Sequence, residues 1–150
     1  MLPPSLSDFV KPRNQLEIHA YNPEHKLVEY SRSKGIVVEA YAPLGSTDSP
    51  MLTDEHVVHI AQKHALNSAD ILLGYLSMVL AGRALQATQL SSPTVARGLV
   101  VLPRSITPSR IVSNLTSAVN AAQKLDAIDM EMLDGLAASG RQKRYFIWRM

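Results

Sequence analysis

Val101-Leu102-Pro103-Arg104-Ser105-Ile106-Thr107-Pro108-Ser109-Arg110-Ile111-Val112-Ser113-Asn114 is a short apolar run that ends in a basic, hydroxyl-rich turn and then opens a helix. Gly98 to Leu102 is β-branched and apolar, the composition of a buried strand. Thr107 followed by Pro108 supplies an N-cap with proline at the first helical position. A strand that delivers its turn to a helix N-terminus sets unpaired backbone N–H groups where a phosphate binds, and Arg104, Ser105 and Arg110 add charge-assisted hydrogen bonds to the same oxygens. The alternative on the same residues is an ordinary strand–turn–helix with solvated arginines, and spacing alone leaves both open.

The stretch resembles the last strand and following helix of the aldo-keto reductases, whose pattern there is Ile/Leu-Pro-Lys-Ser, a short spacer, Arg-Ile, a further short spacer and Asn. Pro103, Ser105, Arg110, Ile111 and Asn114 match in register. The resemblance implies that this segment binds the adenosine 2′-phosphate and adenine of NADP(H). Arg104 stands where lysine is usual and keeps the charge, and Ser113 stands where many members carry an acidic residue. The family folds as a (β/α)8 barrel of about 250 residues. At 150 residues this chain is too short to close one.

Composition narrows the classes further. Hydrophobic residues make up 46% of the chain, enough for the core of one soluble domain. There is no cysteine, which excludes a disulfide framework, a thiolate zinc site and a cysteine nucleophile. Met1-Leu2-Pro3-Pro4-Ser5 lacks the basic start and apolar run of a secretory signal, and no segment approaches the roughly 18 apolar residues of a membrane span. The expectation is a cytoplasmic protein with no membrane partner, in which the sequon Asn114-Leu115-Thr116 has no access to glycosylation. A net charge of +2, scattered along the chain, gives no basis for a nucleic-acid partner.

In chain order, Ser5 to Arg13 is a polar connector. Asn14-Gln15-Leu16-Glu17-Ile18-His19-Ala20-Tyr21-Asn22-Pro23 alternates like a strand, and it resembles the segment that forms the sixth barrel strand of the family. By that resemblance Gln15 hydrogen-bonds the nicotinamide carboxamide; the alternative is a buried glutamine satisfied by backbone. Pro23 to Lys34 has Leu27, Val28 and Tyr30 at near-helical spacing, closed by Gly35. Ile36 to Ala40 is the next strand. It leads into Tyr41-Ala42-Pro43-Leu44-Gly45-Ser46, which resembles the family's exit from its seventh strand. The resemblance implies that Tyr41 stacks on the nicotinamide while the loop carrying Leu44 and Ser46 folds over the pyrophosphate. Core packing is the alternative role for Tyr41.

Thr53-Asp54-Glu55 caps a helix through Val57, Val58, Ile60 and Ala61. His56 and His59 share a face of it, but no third ligand stands at a metal-site spacing, so no metal is expected. Asn67-Ser68-Ala69-Asp70 begins a leucine-rich helix whose buried face is Ile71, Leu72, Leu73, Tyr75 and Leu76. From about Met78 to Ala96 the resemblance breaks, and joining Ser77 to Arg97 would restore family-like spacing. The break is an insertion, either a helix extension with a Ser91-Ser92-Pro93 loop or a translated intron. Beyond Asn114 the helix continues through Leu115, Ala118 and Val119. Leu125, Ile128, Met130, Leu133 and Leu136 then mark an amphipathic helix with Asp126 as N-cap, ending near Gly140. The tail from Arg141 begins like the family's C-terminal loop and diverges, with Trp148 as a substrate-contact candidate or an exposed aromatic.

The expected fold is therefore α/β, a partial (β/α)8 TIM barrel holding the last three strands and their helices. Its divisions are a connector at 1–13, barrel sequence at 14–144 with an insertion at about 78–96, and a divergent tail at 145–150. The cofactor-binding candidates are Gln15, Tyr41, Leu44, Ser46, Arg104, Ser105, Arg110 and Asn114, all toward NADP(H). No catalytic residue is assigned. The family's proton-donating tyrosine, with its lysine, aspartate and histidine, lies on the first four strands, and none of Tyr21, Tyr30, Tyr41, Tyr75 or Tyr145 stands in a matching motif. Such a positioned acid contributes about 10² to 10⁴ in rate. The resemblance thus implies an NADP(H)-dependent reductase of small aldehydes or ketones by ancestry, inactive as this chain alone. A non-catalytic NADP-binding remnant or half-barrel partner is the alternative, and an unrelated helical interaction module is a third. Open barrel edges favour self-association.

Overall fold

The computed structural model describes residues 12–47, 49–81, 99–138 and 140–146. Along this chain run β1 (Arg13–Glu17), α1 (His25–Ser33), β2 (Val37–Tyr41), a 3-10 turn (Pro50–Thr53), α2 (Glu55–His64), α3 (Ser68–Ala81), β3 (Leu99–Leu102), α4 (Pro108–Lys124) and α5 (Ala127–Ala138). The strands form a three-stranded parallel sheet in the order β1-β2-β3. Leu16 lies opposite Ala40 and Ala40 opposite Val101, so all three strand C-termini lie at one end of the sheet. Helices between parallel strands make this the βαβ arrangement, whose ligand sites lie beyond the strand C-termini.

The two faces of the sheet differ. Val38 and Ala40 are fully buried, and with Leu16 and Val101 they pack into the core built by Ile18, Val57, Ile60, Ile71, Leu72 and Tyr75. Arg13, Gln15, Glu17, Glu39 and Tyr41 occupy the alternate positions and point to the other face, since side chains alternate along a strand. Arg13 Nη1 meets Glu39 Oε1 there at 3.5 Å.

α3 is apolar around most of its circumference because it is enclosed: Ile71, Leu72, Leu73, Tyr75 and Leu76 are all buried. Its contact with α4 is made by small residues. Gly74 faces Ala121 and Ala122 so closely that an added Cβ would lie 2.7 Å from the Ala121 Cβ and 2.9 Å from the Ala122 backbone nitrogen. α2 is capped by Asp54, whose carboxylate accepts the His56 N–H at 3.0 Å, as its sequence position requires. α5 starts with a reciprocal pair: Asp126 accepts the Asp129 N–H at 2.9 Å, and Asp129 accepts the Asp126 N–H at 3.1 Å. Lys63 donates to both carboxylates, at 2.7 and 2.8 Å, and ties α2 to α5.

One boundary differs from expectation, and tertiary packing settles what local spacing left open. β1 begins at Arg13, one residue before the expected connector boundary, because the Val37 N–H donates to Pro12 O and extends the ladder. In α1 the buried residues are Val28 and Ser31, whereas Leu27 and Tyr30 are exposed, since the short helix turns only one narrow stripe to the core. On α4, Ala118, Ala121 and Ala122 are buried, while Leu115 is 70% exposed and Val119 is also exposed. The close approach to Gly74 selects alanines for that face and leaves the branched residues outside. Ile128 on α5 is likewise exposed. Most of the expected insertion at about 78–96 lies outside the described residues; α3 itself runs on to Ala81. Residues 1–11 of the connector and Trp148 also lie outside them.

Candidate functional site

A cleft of about 840 Å³ opens at the strand C-termini. Gln15 comes from β1, Tyr41 is the last residue of β2 and Leu102 the last of β3. The loop after β2 contributes Leu44, Gly45, Ser46 and Thr47, and the turn after β3 contributes Arg104, Ser105, Ile106 and Thr107. Arg110 enters from the first turn of α4 and Phe146 from the C-terminal tail.

The β2 loop is held in shape by its own backbone. Gly45 N–H donates to Ala42 O at 2.8 Å and Ser49 N–H to Ser46 O at 2.9 Å. Gly45 has φ +77°, and a Cβ there would meet Ser49 Oγ at 2.5 Å and Met51 Cε at 2.7 Å, so glycine is required on both counts. Ala42 accepts φ +50° immediately before Pro43, a strained conformation beside the cleft.

The turn after β3 is organised by Ser105, whose Oγ accepts the Thr107 N–H at 3.1 Å. Thr107 is the N-cap of α4 and Pro108 its first residue, as expected, but the Thr107 side chain makes no capping bond. The Ser105 hydroxyl, two residues earlier in the turn, takes up a backbone donor instead. The first helical bond runs from Ile111 N–H to Thr107 O at 3.1 Å, so the N–H groups of Ser109 and Arg110 have no helical carbonyl in front of them. Arg104 and Arg110 are exposed, and among the described residues no carboxylate lines the cleft. Two guanidinium groups, a helix N-terminus and several hydroxyls make its electrostatics suited to an anion.

Seven of the eight candidate residues, Gln15, Tyr41, Leu44, Ser46, Arg104, Ser105 and Arg110, line this one cleft. Asn114, one turn beyond Arg110 on α4, is half-buried and lies outside the lining. Gln15 is exposed rather than buried, which removes the reading in which backbone groups satisfy it inside the core. Leu44 is partly buried against the core.

Sequence reasoning read the tail as beginning like a C-terminal loop but named neither Phe146 nor the contacts that hold it. Lys143 N–H donates to Tyr21 O at 3.0 Å, Arg141 Nη1 to Asp54 Oδ2 at 3.0 Å and Gln142 Nε2 to Asn22 Oδ1 at 3.2 Å. Tyr145 packs against His19, ring centroids 5.3 Å apart, and Phe146 meets Tyr41 edge-on at 5.6 Å. The segment read as divergent from Tyr145 onward thus supplies a wall of the cleft. Glu17, the last residue of β1, is fully buried, and a buried carboxylate requires hydrogen-bond partners. Burial holds the His19 imidazole below its ordinary value, against the opposing pull of the Glu17 carboxylate at 3.1 Å. Tyr41 is shifted upward, by burial first and by the charge of Glu17 next. Among the described residues no group of three or more histidines and carboxylates is placed to hold a metal ion, and no helix is long and apolar enough to cross a membrane.

Comparison with known proteins gives this geometry a family. The chain is 36% identical over 136 residues to the D-galacturonate reductase of Hypocrea jecorina, which covers 88% of the chain and 37% of that enzyme. It is 35% identical over 116 residues to the glycerol 2-dehydrogenase (NADP(+)) of Saccharomyces cerevisiae, covering 77% of the chain and 31% of the relative. Among solved structures, the aldose reductase from Schistosoma japonicum superposes with a TM-score of 0.64 at 32% identity, over 89% of this chain and 35% of that one. MGS-M4, an aldo-keto reductase from a Medee basin deep-sea metagenome library, superposes with a TM-score of 0.68 at 29% identity, over 90% and 41%. No protein-family model matches the chain. Sequence and fold agree that the chain is similar to aldo-keto reductases over most of its length. It spans about a third of the length of the curated relatives it matches.

Proposed function

We propose that this chain carries the cofactor-binding portion of an NADP(H)-dependent carbonyl reductase, and that its three strands correspond to the last three of a (β/α)8 barrel. The observation that carries the reading is the convergence of Gln15, Tyr41, Leu44, Ser46, Arg104, Ser105 and Arg110 on one cleft at the strand C-termini. Its volume of about 840 Å³ sits in the upper part of the roughly 300–1,000 Å³ range typical of ligand sites. Arg104, Ser105 and Arg110, with the first-turn N–H groups of α4, bind the 2′-phosphate. Tyr41 offers a flat ring at the other end of the cleft and Gln15 an amide to hydrogen-bond a carboxamide. Asn114 completes the adenine end.

When bound, the nicotinamide supplies hydride to an aldehyde or ketone carbon. This chain's own residues orient the cofactor, and none of the described ones is placed as the proton donor. Tyr21 donates to Asp54 at 2.6 Å, and burial first and that bond next push its phenol up to about 12, the wrong direction for an acid at neutral pH. The chain by itself is therefore non-catalytic, a cytoplasmic NADP-binding remnant or the partner of a second half-barrel. The division at 14–144, with an insertion at about 78–96 and a divergent end at 145–150, belongs to the same reading. A specific observation favours the partner reading: among the described residues β1 and β3 each pair on one side only, and α4 exposes Ile111, Val112, Leu115 and Val119. Unpaired edges and an uncovered apolar stripe favour association with another chain or another copy.

The test is a fluorescence titration of the purified chain with NADPH, with NADH as control. Saturable binding that prefers NADPH and weakens about tenfold or more in Arg104→Ala and Arg110→Ala supports the reading, because charge-assisted hydrogen bonds are worth about 1.5–3 kcal/mol each. Equal binding of NADPH and NADH, or indifference to both arginines, refutes it.

A further inference from the structure

We infer that Glu17 is the positioning residue for the aromatic wall of the cleft: its buried carboxylate holds the C-terminal tail so that Phe146 closes on Tyr41. The inference rests on the cofactor reading above only for the identity of the ligand.

Glu17 is the last residue of β1 and is 1% exposed. A carboxylate so deeply buried needs hydrogen-bond donors for its lone pairs. They come from two successive backbone amides of the tail, Tyr145 N–H to Oε1 at 2.5 Å and Phe146 N–H to Oε2 at 3.1 Å. His19 Nε2 is 3.1 Å from Oε1, and the Arg144 guanidinium lies 3.7 Å from Oε2. Two consecutive amides on the two oxygens of one carboxylate fix both the position and the direction of the strand that carries them.

The consequence follows from register. Glu17 and Tyr41 are Cα partners across β1 and β2, so their side chains stand side by side on the same face of the sheet. A tail pinned to Glu17 at Tyr145 and Phe146 must set the Phe146 ring beside Tyr41, and the two rings meet edge-on at 5.6 Å. The earlier tail contacts, from Arg141, Gln142 and Lys143, stop short of this point. Among the described residues, the backbone of Tyr145 and Phe146 has Glu17 as its hydrogen-bond partner. Phe146 is otherwise 43% exposed, and its ring contact with Tyr41 is a consequence of where its backbone is tied. Glu17 thus acts on a ligand through Phe146 and does not line the cleft itself.

The experiment has two arms on the full chain. Without ligand, amide hydrogen exchange and ring–ring nuclear Overhauser effects are recorded for wild type and Glu17→Gln. The expected result is faster exchange at Tyr145 and Phe146 and loss of the Tyr41–Phe146 effect; unchanged protection with the effect retained overturns the inference. With ligand, NADPH is compared with adenosine 2′,5′-bisphosphate, which keeps the adenine and 2′-phosphate but has no ring for Tyr41 and Phe146 to grip. Glu17→Gln and Phe146→Ala are each expected to lower the advantage of NADPH over the bisphosphate about three- to tenfold while leaving bisphosphate affinity unchanged, the size of one aromatic contact. An advantage retained in Glu17→Gln, or loss of affinity for both probes alike, overturns it. If wild type binds neither probe, the cofactor reading falls and the ligand-free arm decides the role of Glu17. Where Glu17→Gln does not fold, Glu17→Asp keeps the charge and withdraws it from the tail by one methylene, with the same expected outcomes.

Discussion

The contact between α3 and α4 makes a prediction with a sign. Gly74 lies inside α3, where glycine is about 0.8–1.0 kcal/mol worse than alanine for helix formation. Propensity alone therefore predicts that Gly74→Ala stabilises. The packing predicts the opposite. A Cβ at Gly74 would stand 2.7 Å from the Ala121 Cβ, 2.9 Å from the Ala122 nitrogen and 3.1 Å from the Ala121 carbonyl carbon, whereas carbon atoms pack at about 3.5–4.0 Å. Two of these three atoms are backbone and cannot rotate aside, so α4 must move away as a body. Overpacking a tight core by one methyl costs about 1–3 kcal/mol, and backbone contacts place this case in the upper half. Subtracting the helix gain leaves a net destabilisation of about 1–2 kcal/mol.

Gly135 in α5 is the internal control. Nothing lies within 4 Å of its added Cβ, so Gly135→Ala keeps the helix gain and stabilises by about 0.5–1 kcal/mol. Urea unfolding followed by far-UV circular dichroism measures both, each variant being compared at constant m. The expected result is a lower midpoint for Gly74→Ala and a higher one for Gly135→Ala. A raised midpoint for both would refute the close approach of α3 and α4, and with it the explanation of why alanines rather than Leu115 and Val119 face inward.

Three further outcomes follow from other parts of the fold. The Lys63 hydrogen bond is the chief cause holding Asp126 down at about 2; burial pushes Asp129 upward but is outweighed by Lys63 and His64. Both folded values lie below the unfolded ones, so this contribution is present above the ordinary carboxylate pKa of 3.8 and lost as pH falls toward 2. Lys63→Met is expected to bring acid unfolding to higher pH in a circular dichroism titration, and an unmoved onset counts against the network. Tyr21 behaves in the opposite sense: its folded value of about 12 exceeds the ordinary 10.0, so its contribution is full below pH 10 and lost toward pH 12. Tyr21→Phe is expected to cost about 1 kcal/mol at neutral pH and to flatten the alkaline loss in urea midpoints between pH 10 and 12. Ala65 caps α2 at φ +52°, and Ala65→Gly is expected to stabilise by about 0.5–1 kcal/mol in the same assay.

The sequence by itself determined the local elements and the chemistry of the cleft. Apolar runs, proline at the start of α4, Asp54 and Asp126 as caps and Gly35 after α1 are local signals, legible because helices and strands are specified by neighbouring residues. The motifs around Tyr41 and Arg104, through their resemblance to the aldo-keto reductases, named residues that line the cleft beyond the strand C-termini. Only the tertiary structure decided what depends on residues distant in sequence. Helical spacing placed Leu27, Tyr30, Leu115, Val119 and Ile128 on helices, but which stripe faces inward depends on the neighbour, and Gly74 on α3 selects the alanine face of α4. The return of the tail to β1 was invisible for the same reason. Glu17 and Tyr145 are separated by 128 positions, and nothing in either local pattern states that a buried carboxylate in the first strand is satisfied by two amides near the end of the chain.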